Sequence, residues 1–180
     1  MLTAGKVKEL QNRAAGMLAD AGIAITAEER EAIEVADLGL GEIETTGLEL
    51  VVYVNNERYC AKELIMLPGQ TCPEHRHPPR EGDPGKTETF RCRSGVVYLY
   101  VPGEPTVNMK GRVPVGSEDY YTVFNEVALS PGDQYTIGPD TLHWFQPGGE
   151  GAIVSEFSSP SDDESDIFTD PRIKRTTEVE

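Results

Sequence analysis

The sequence lacks the features of a membrane or secreted protein. No apolar run approaches the roughly 20 residues that a membrane-spanning helix needs. No basic stretch followed by an apolar one marks a secretory signal at the N-terminus. We therefore expect a cytoplasmic protein without a membrane partner.

Basic residues are scarce. The chain has 16 lysines and arginines against 31 acidic residues, a net charge of −15. Such a surface repels the phosphate backbone of nucleic acids, so we expect no nucleic-acid partner. A neutral small molecule suits this charge better than an anionic one, except where Arg76, Arg80, Arg91 and Arg93 offset it locally.

Cysteine is also scarce, which excludes a disulfide framework. The three cysteines, Cys60, Cys72 and Cys92, form no CxxC pair that would suggest zinc or redox chemistry. We expect reduced, partly buried thiols.

The patterning of the 180 residues predicts one domain that is mainly β. The region up to about Leu40 is predicted helical, with a capping box between Thr26 and Glu29. Short β-branched and aromatic runs then alternate with turn residues, as in an antiparallel barrel. Predicted strands cover 48–54, 58–67, 87–92, 96–101, 120–129, 134–137, 143–146 and 152–157.

These elements divide the chain into three parts. Residues 1–41 form a helical segment that packs on the barrel, residues 42–160 form the barrel, and residues 161–180 form a C-terminal tail. We expect the tail to be mobile near its end, although Ile167, Phe168 and Ile173 offer anchors for part of it.

Histidine occurs only three times, and the positions of its three copies are informative. His75 and His77 are two positions apart on a predicted strand, so their side chains lie on the same face, about 7 Å apart. Glu88 opens a later strand and shares its face with Phe90. His143 follows the turn "GPDT". A single histidine is more often a satisfied polar group than a ligand, but the joint placement of all four side chains predicts a metal site.

The spacing of these ligands resembles the cupin motifs. Gly69, His75, His77, Glu88 and Gly95 resemble the first motif, and the segment from Gly132 to His143 resembles the second. The interval between His77 and Glu88 is longer than in most cupins. This resemblance implies a small antiparallel β-barrel, or jelly roll, in which three histidines and one glutamate bind a metal.

A narrower resemblance extends from about residue 32 to residue 173. The segments "YCAKELIMLPGQTCPEHRHPP", "GKTETFRCRSGVVYLYV", "PGDQYTIGPDTLHWFQ" and "DIFTDPRI" are similar to those of the cupin-type D-lyxose isomerases. This similarity implies a manganese-dependent enzyme, and we expect a homodimer, as is usual for cupins. The implied reaction converts D-lyxose to D-xylulose and often D-mannose to D-fructose.

The ligand set suits an aldose–ketose isomerisation. Four protein ligands leave two adjacent positions open on an octahedral ion, which accommodate the O1 and O2 atoms of the sugar while a proton or hydride moves between C1 and C2. A four-coordinate zinc would already be full. The ligand set therefore suits Mn²⁺, Co²⁺, Ni²⁺ or Fe²⁺, and the resemblance implies Mn²⁺ among these four.

Candidate catalytic and substrate-binding residues follow from strand parity and from the resemblance. Lys62 matches the family and is the candidate proton carrier, unless it is a surface lysine paired with Glu63 or Glu57. Glu156 is the candidate general base if it points into the barrel. The expected sugar-binding residues are Lys62, Glu156, Phe90, Asp166 and Asp170.

Other functions compete with this interpretation. The same ligands support an Fe(II) dioxygenase, and the arginines permit a phosphosugar isomerase. A non-catalytic sugar-binding cupin is a third alternative, because the metal ion can simply organise a binding pocket.

Overall fold

The computed structural model describes all residues from 1 to 180 and is mainly β. It has two α-helices and nine strands. These are α1 (Ala4–Asp20), α2 (Ala27–Glu31), β1 (Glu34–Ala36), β2 (Leu48–Asn55), β3 (Cys60–Met66), β4 (Cys72–Arg76), β5 (Glu88–Val101), β6 (Asn125–Leu129), β7 (Gln134–Ile137), β8 (His143–Ser158) and β9 (Ile167–Phe168). Single 3₁₀ turns occur at Glu118–Tyr120 and Asp163–Ser165.

The N-terminal helices cover the outer face of the sheet. The predicted capping box is confirmed, because Thr26 and Glu29 each bond the other's backbone N–H. Buried side chains of α1, such as Leu18, pack against Ile65 and Ile153 of the sheet. Neither helix is long and apolar enough to cross a membrane.

The prediction of helix up to about Leu40 is wrong after α2. Residues Glu34–Ala36 form β1, which pairs antiparallel with β2. The β-branched residues Ile33 and Val35 favour an extended backbone, and both are buried against neighbouring clusters. The helical segment therefore ends earlier than expected.

Two long strands, β5 and β8, form the centre of the sheet and pair with each other along most of their length. Each merges two shorter predicted strands. The predicted break at Gly95 is instead an irregularity within β5, where Gly95 adopts a left-handed φ of 71°. A Cβ at this position would lie 2.2 Å from the carbonyl oxygen of Gly151, so glycine allows the two strands to stay paired.

The remaining strands curl the sheet around an apolar interior. Strand β8 is flanked by β5 on one edge and by β3 and β4 on the other. The other edge of β5 pairs with β6 and β7. The burial of β5 alternates as predicted, with Glu88 and Phe90 inside and Arg91 outside. The interior cluster includes Leu50, Leu64, Phe90, Leu99, Phe145 and Val154.

Residues 102–124 pack an aromatic layer against the barrel. Tyr100 stacks on Trp144 with ring centroids 3.8 Å apart, and Tyr121 meets the same indole edge-on. The predicted strand 120–129 begins only at Asn125, because Tyr120 ends a 3₁₀ turn. Tyr100 and Tyr121 are both buried in this layer.

The C-terminal tail is held to the body along its length, contrary to the expectation of a mobile end. Strand β9 pairs with β4. Leu2 and Val179 form a parallel bridge, and the Thr177 hydroxyl donates to the carbonyl oxygen of Val35 at 2.8 Å. Ile173 packs on the interior cluster, as expected of an anchor. The sheet therefore extends past the predicted barrel bounds at both ends.

Candidate metal centre

The structure brings the three histidines and Glu88 together at one end of the barrel. His75 pairs directly with His143 across β4 and β8, and His77 follows β4 by one residue. Ligand nitrogens of the three rings lie within 4.8 Å of one another. Glu88 Oε1 lies 3.1 Å from His77 Nε2 and 3.0 Å from His143 Nε2. All four side chains are buried.

Hydrogen bonds fix which nitrogen is free in two of the three imidazoles. The Nδ1 atoms of His75 and His143 lie 2.8 and 2.9 Å from the carbonyl oxygens of Pro73 and Thr141. His77 Nδ1 lies 2.5 Å from Asp166 Oδ1. Carbonyl oxygens only accept, so Nδ1 is the donor in His75 and His143 and Nε2 of each is the nitrogen left for the centre, whereas His77 has a carboxylate oxygen at both ring nitrogens. Such outer hydrogen bonds are typical of histidines that bind metals.

The electrostatics of the group suit a cation. Burial lowers the pKa of His77, but Glu88 and the hydrogen bond to Asp166 outweigh it and raise the pKa to about 9. Burial and the two neighbouring imidazoles hold the pKa of His75 well below its ordinary value. His143 Nε2 has no hydrogen-bond partner, because its short approach to Glu88 lacks hydrogen-bond geometry. The carboxylates of Glu88 and Asp166 therefore favour a positive charge at this site, and a divalent ion would supply such a charge.

Glu88 is kept ionised by its surroundings. Burial alone would raise the pKa of Glu88, but Lys86 and His77 hold it well below its ordinary value. Lys86 Nζ lies 2.8 Å from Glu88 Oε2 and 2.6 Å from Glu156 Oε1. The two carboxylates also hold the pKa of Lys86 well above its usual range, although burial opposes them. One ammonium therefore joins the candidate ligand to the candidate base.

Both candidate catalytic residues line the cavity that contains the histidines. Lys62 and Glu156 are cross-strand partners on β3 and β8, and both are almost fully buried. The alternative of an exposed Lys62 is therefore wrong. The Lys62 ammonium does not contact the candidate ligands. Instead, it donates to both oxygens of Asp163 at 2.7 and 2.9 Å and to the Ser161 hydroxyl at 3.1 Å.

The other predicted site residues divide between the cavity and its surroundings. Phe90 lines the cavity and meets the ring of Phe145 at 5.0 Å. Asp166 also lines it, with its carboxylate on His77. Asp170 does not reach the cavity, contrary to our expectation. Its carboxylate lies 2.6 Å from the guanidinium of Arg172. The same guanidinium lies over the ring of Tyr120.

Glu74 faces away from the histidines, as strand parity predicts. It is buried, and its carboxylate accepts hydrogen bonds from the backbone N–H groups of Thr122 and Val123. The hydroxyls of Thr122 and Thr169 donate to it as well. Glu74 therefore joins β4 to the aromatic layer and to the tail.

Sequence reasoning missed three charged residues of the cavity, Lys86, Asp163 and Arg175. Lys86 precedes Glu88 by only two residues, and this short separation from a candidate ligand could have identified it as a site residue. Asp163 lies in the acidic run "SDDESD", which is indistinguishable in composition from a solvated segment. Only the fold of the tail brings Asp163 to Lys62.

The fold and the site define the class of protein as a cupin. Solved structures with this fold include the L-ribose isomerase of Acinetobacter sp. DL28 in complex with L-ribose, with a TM-score of 0.81 and 16% identity over 99% of this chain and 98% of that one. The ligand-free L-ribose isomerase of Cellulomonas parahominis has a TM-score of 0.75 and 18% identity over 95% and 94% of the two chains. At these identities the similarity shows the fold alone.

Sequence comparison identifies the family. The profile described as D-lyxose isomerase matches residues 24–180. The D-lyxose/D-mannose isomerase of Thermosediminibacter oceani is 69% identical over 100% of this chain and 99% of its own. The D-lyxose ketol-isomerase of Cohnella laeviribosi is 61% identical over 96% and 95%. The chain belongs to the D-lyxose isomerase family and is an aldose–ketose sugar isomerase, which sets aside the dioxygenase and the non-catalytic alternatives.

Proposed function

We propose that this isomerase interconverts D-lyxose and D-xylulose, and D-mannose and D-fructose, with a divalent metal bound by His75, His77, His143 and Glu88. The observation that supports the proposal is the convergence of three imidazole Nε2 atoms and one carboxylate oxygen in a buried cavity. The choice of sugars is supported by the relatives, which are a D-lyxose/D-mannose isomerase and a D-lyxose ketol-isomerase.

Mn²⁺ is the proposed ion, with Co²⁺, Ni²⁺ or Fe²⁺ as alternatives. Imidazole and carboxylate donors suit all four ions, and six-coordination leaves room for two sugar oxygens. Bound there, the ion would polarise the carbonyl and hydroxyl oxygens at C1 and C2.

The proposed proton carriers are Glu156 and Lys62. Both are charged side chains that face the cavity from adjacent strands, and Lys86 orients the Glu156 carboxylate. Glu156 accepts the proton from one carbon and returns it to the other, and Lys62 exchanges a proton with a sugar oxygen. Isomerisation in D₂O tests the choice of proton over hydride transfer, because only proton transfer incorporates deuterium at the product carbon.

The charges of the cavity favour a free sugar over a phosphosugar. Its cations Lys62, Lys86 and Arg175 are each paired with one or two carboxylates, so none is available for a phosphate. Comparison of kcat/KM for D-mannose and its 6-phosphate checks this choice.

We also propose that two copies associate. Large side chains with apolar surface are exposed around the β2–β3 hairpin and the end of β8, where Tyr53, Tyr59 and Phe157 are 42, 51 and 51% exposed. Sedimentation analysis distinguishes a dimer from a monomer. Location in the cytoplasm stays a prediction.

Removal and return of the metal tests the proposed function. After chelation, the protein should lose its isomerase activity on D-lyxose and regain it with Mn²⁺. The variant His143→Ala should bind Mn²⁺ weakly, because it lacks one of the four ligands.

The control is Glu150→Gln, an exposed position on the same strand as His143, which should behave as the unmodified protein. Full activity of the chelated protein without metal, or no turnover of any free pentose or hexose with metal, would contradict the proposal.

A further inference from the structure

Lys86 occupies a position that the proposed reaction does not yet explain. It lies in the loop between His77 and β5, two residues before the strand begins, and is 7% exposed. The loop passes closely against His77, because a Cβ at Gly85 would lie 2.7 Å from the His77 carbonyl oxygen. Gly85 has a φ of 98°, which glycine adopts readily. The backbone itself thus brings Lys86 to the ligand group.

The contacts of Glu88 separate its two carboxylate oxygens. Oε1 faces the imidazoles of His77 and His143 at 3.1 and 3.0 Å. Oε2 faces the ammonium of Lys86 at 2.8 Å. A carboxylate can bind a metal through one oxygen or both, and the choice decides how many positions remain for other ligands.

We infer that Lys86 is a positioning residue that restricts Glu88 to one metal-binding oxygen, and thereby keeps open the second coordination position that the sugar needs. The inference rests on the proposed metal site. Binding through both oxygens would place the ion and the Lys86 ammonium on the same oxygen, Oε2, so the two cations would repel each other; Glu88 and Glu156 are the only ion-pair partners of Lys86.

The same ammonium holds Glu156 beside the ligand group. Its 2.6 Å contact with Glu156 Oε1 places the proposed base on the same bridge as Glu88. Stability alone does not explain why Lys86 is buried between the two carboxylates, because the cost of burying the three charges offsets most of their attraction. One side chain therefore sets both the open coordination position and the orientation of the base.

The hydration of bound Mn²⁺ tests this role directly. Water-proton relaxation counts the exchangeable waters on Mn²⁺ bound to the protein without sugar. Lys86→Met should reduce the inner-sphere relaxivity to roughly half, because Glu88 then binds through both oxygens and displaces one of two waters. Lys86→Gln retains one donor and should reduce it less. Circular dichroism and the Mn²⁺ dissociation constant establish that each variant folds and binds the ion.

Lys62→Met is the matched control, because it removes a second buried ammonium from the same cavity without touching Glu88. It should retain the relaxivity of the unmodified protein. Equal relaxivity in Lys86→Met and the unmodified protein, or an equal fall in Lys62→Met, would overturn the inference. Failure of the unmodified protein to bind Mn²⁺ would instead overturn the proposed metal site on which the inference depends.

Discussion

At the scale of single residues, the cavity concentrates buried side chains of both charges. Lys62, Lys86, Glu88 and Glu156 are each at most 7% exposed, and all four line one cavity. Charged side chains are almost never buried so deeply without a partner, and these are paired with one another and with Asp163. The pairing places donors and acceptors around a small molecule without leaving an isolated charge.

Removal of the proposed proton carriers should separate binding from turnover. Glu156→Gln and Lys62→Met should each lower kcat by at least about 100-fold, because proton transfer by a positioned side chain contributes on that order. The Mn²⁺ dissociation constant should change little, since neither side chain contacts the candidate ligands. Steady-state kinetics and metal titration measure the two quantities.

The exposed Glu150 provides the matched control on β8, and Glu150→Gln should retain full kcat. An unchanged kcat in Glu156→Gln or in Lys62→Met would remove that residue from the mechanism.

At the scale of elements, the tail forms part of the site. It supplies Asp163 to Lys62, Asp166 to His77, and Phe168, whose ring lies 5.2 Å from that of His75. Arg175 then binds both Asp163 and Glu34 and joins the tail to β1. A segment with the composition of a flexible terminus therefore completes one wall of the cavity.

The contact between the tail and His77 predicts a weaker metal site when Asp166 is changed. Asp166→Asn should raise the Mn²⁺ dissociation constant by about 10- to 100-fold, because the carboxylate orients His77 and strengthens its Nε2 as a donor. Electron paramagnetic resonance of free Mn²⁺ during titration measures the change. Glu164→Gln, an exposed position in the same tail, should bind Mn²⁺ normally. Equal affinities in the two variants would contradict this role.

At the scale of the whole molecule, one buried acid far from the metal centre affects stability. Glu49 on β2 is fully buried, and only Gln70 Nε2, at 3.1 Å, donates to its carboxylate. Its second oxygen has no partner. Burial raises the pKa of Glu49 from 4.5 to about 7.

The raised pKa makes the free energy of unfolding depend on pH. The folded state holds the Glu49 proton more tightly than the unfolded chain, so this contribution is complete below about pH 4.5 and is lost as pH rises through about 7. The loss amounts to about 3 kcal/mol. Glu49→Gln mimics the neutral acid and should be more stable than the unmodified protein at pH 8, with little difference at pH 4.5.

Urea unfolding of the metal-free protein at these two pH values measures the difference. Glu42→Gln changes an exposed glutamate nearby and should leave the pH dependence intact. The assignment to Glu49 would be wrong if Glu49→Gln lost stability with pH as steeply as the unmodified protein does.

The sequence by itself determined the fold class and the four candidate metal ligands. Alternation along a strand depends only on local backbone geometry, so it placed Glu88 and Phe90 on one face of β5, where the structure buries both. The scarcity of histidine made the ligand set readable, because no other histidines competed for it.

Only the tertiary structure decided which charges meet in the cavity. Lys62 and Asp163 are 101 residues apart, and His77 and Asp166 are 89 apart, so no local pattern predicts either contact. The end of the tail was predicted mobile because its composition is polar, with Ile167, Phe168 and Ile173 as anchors for the rest. The pairing of β9 with β4 agrees with these anchors, whereas the pairing of Val179 with Leu2 holds the end as well. Local geometry sets the direction of a side chain, whereas its partner depends on long-range packing that brings distant segments together.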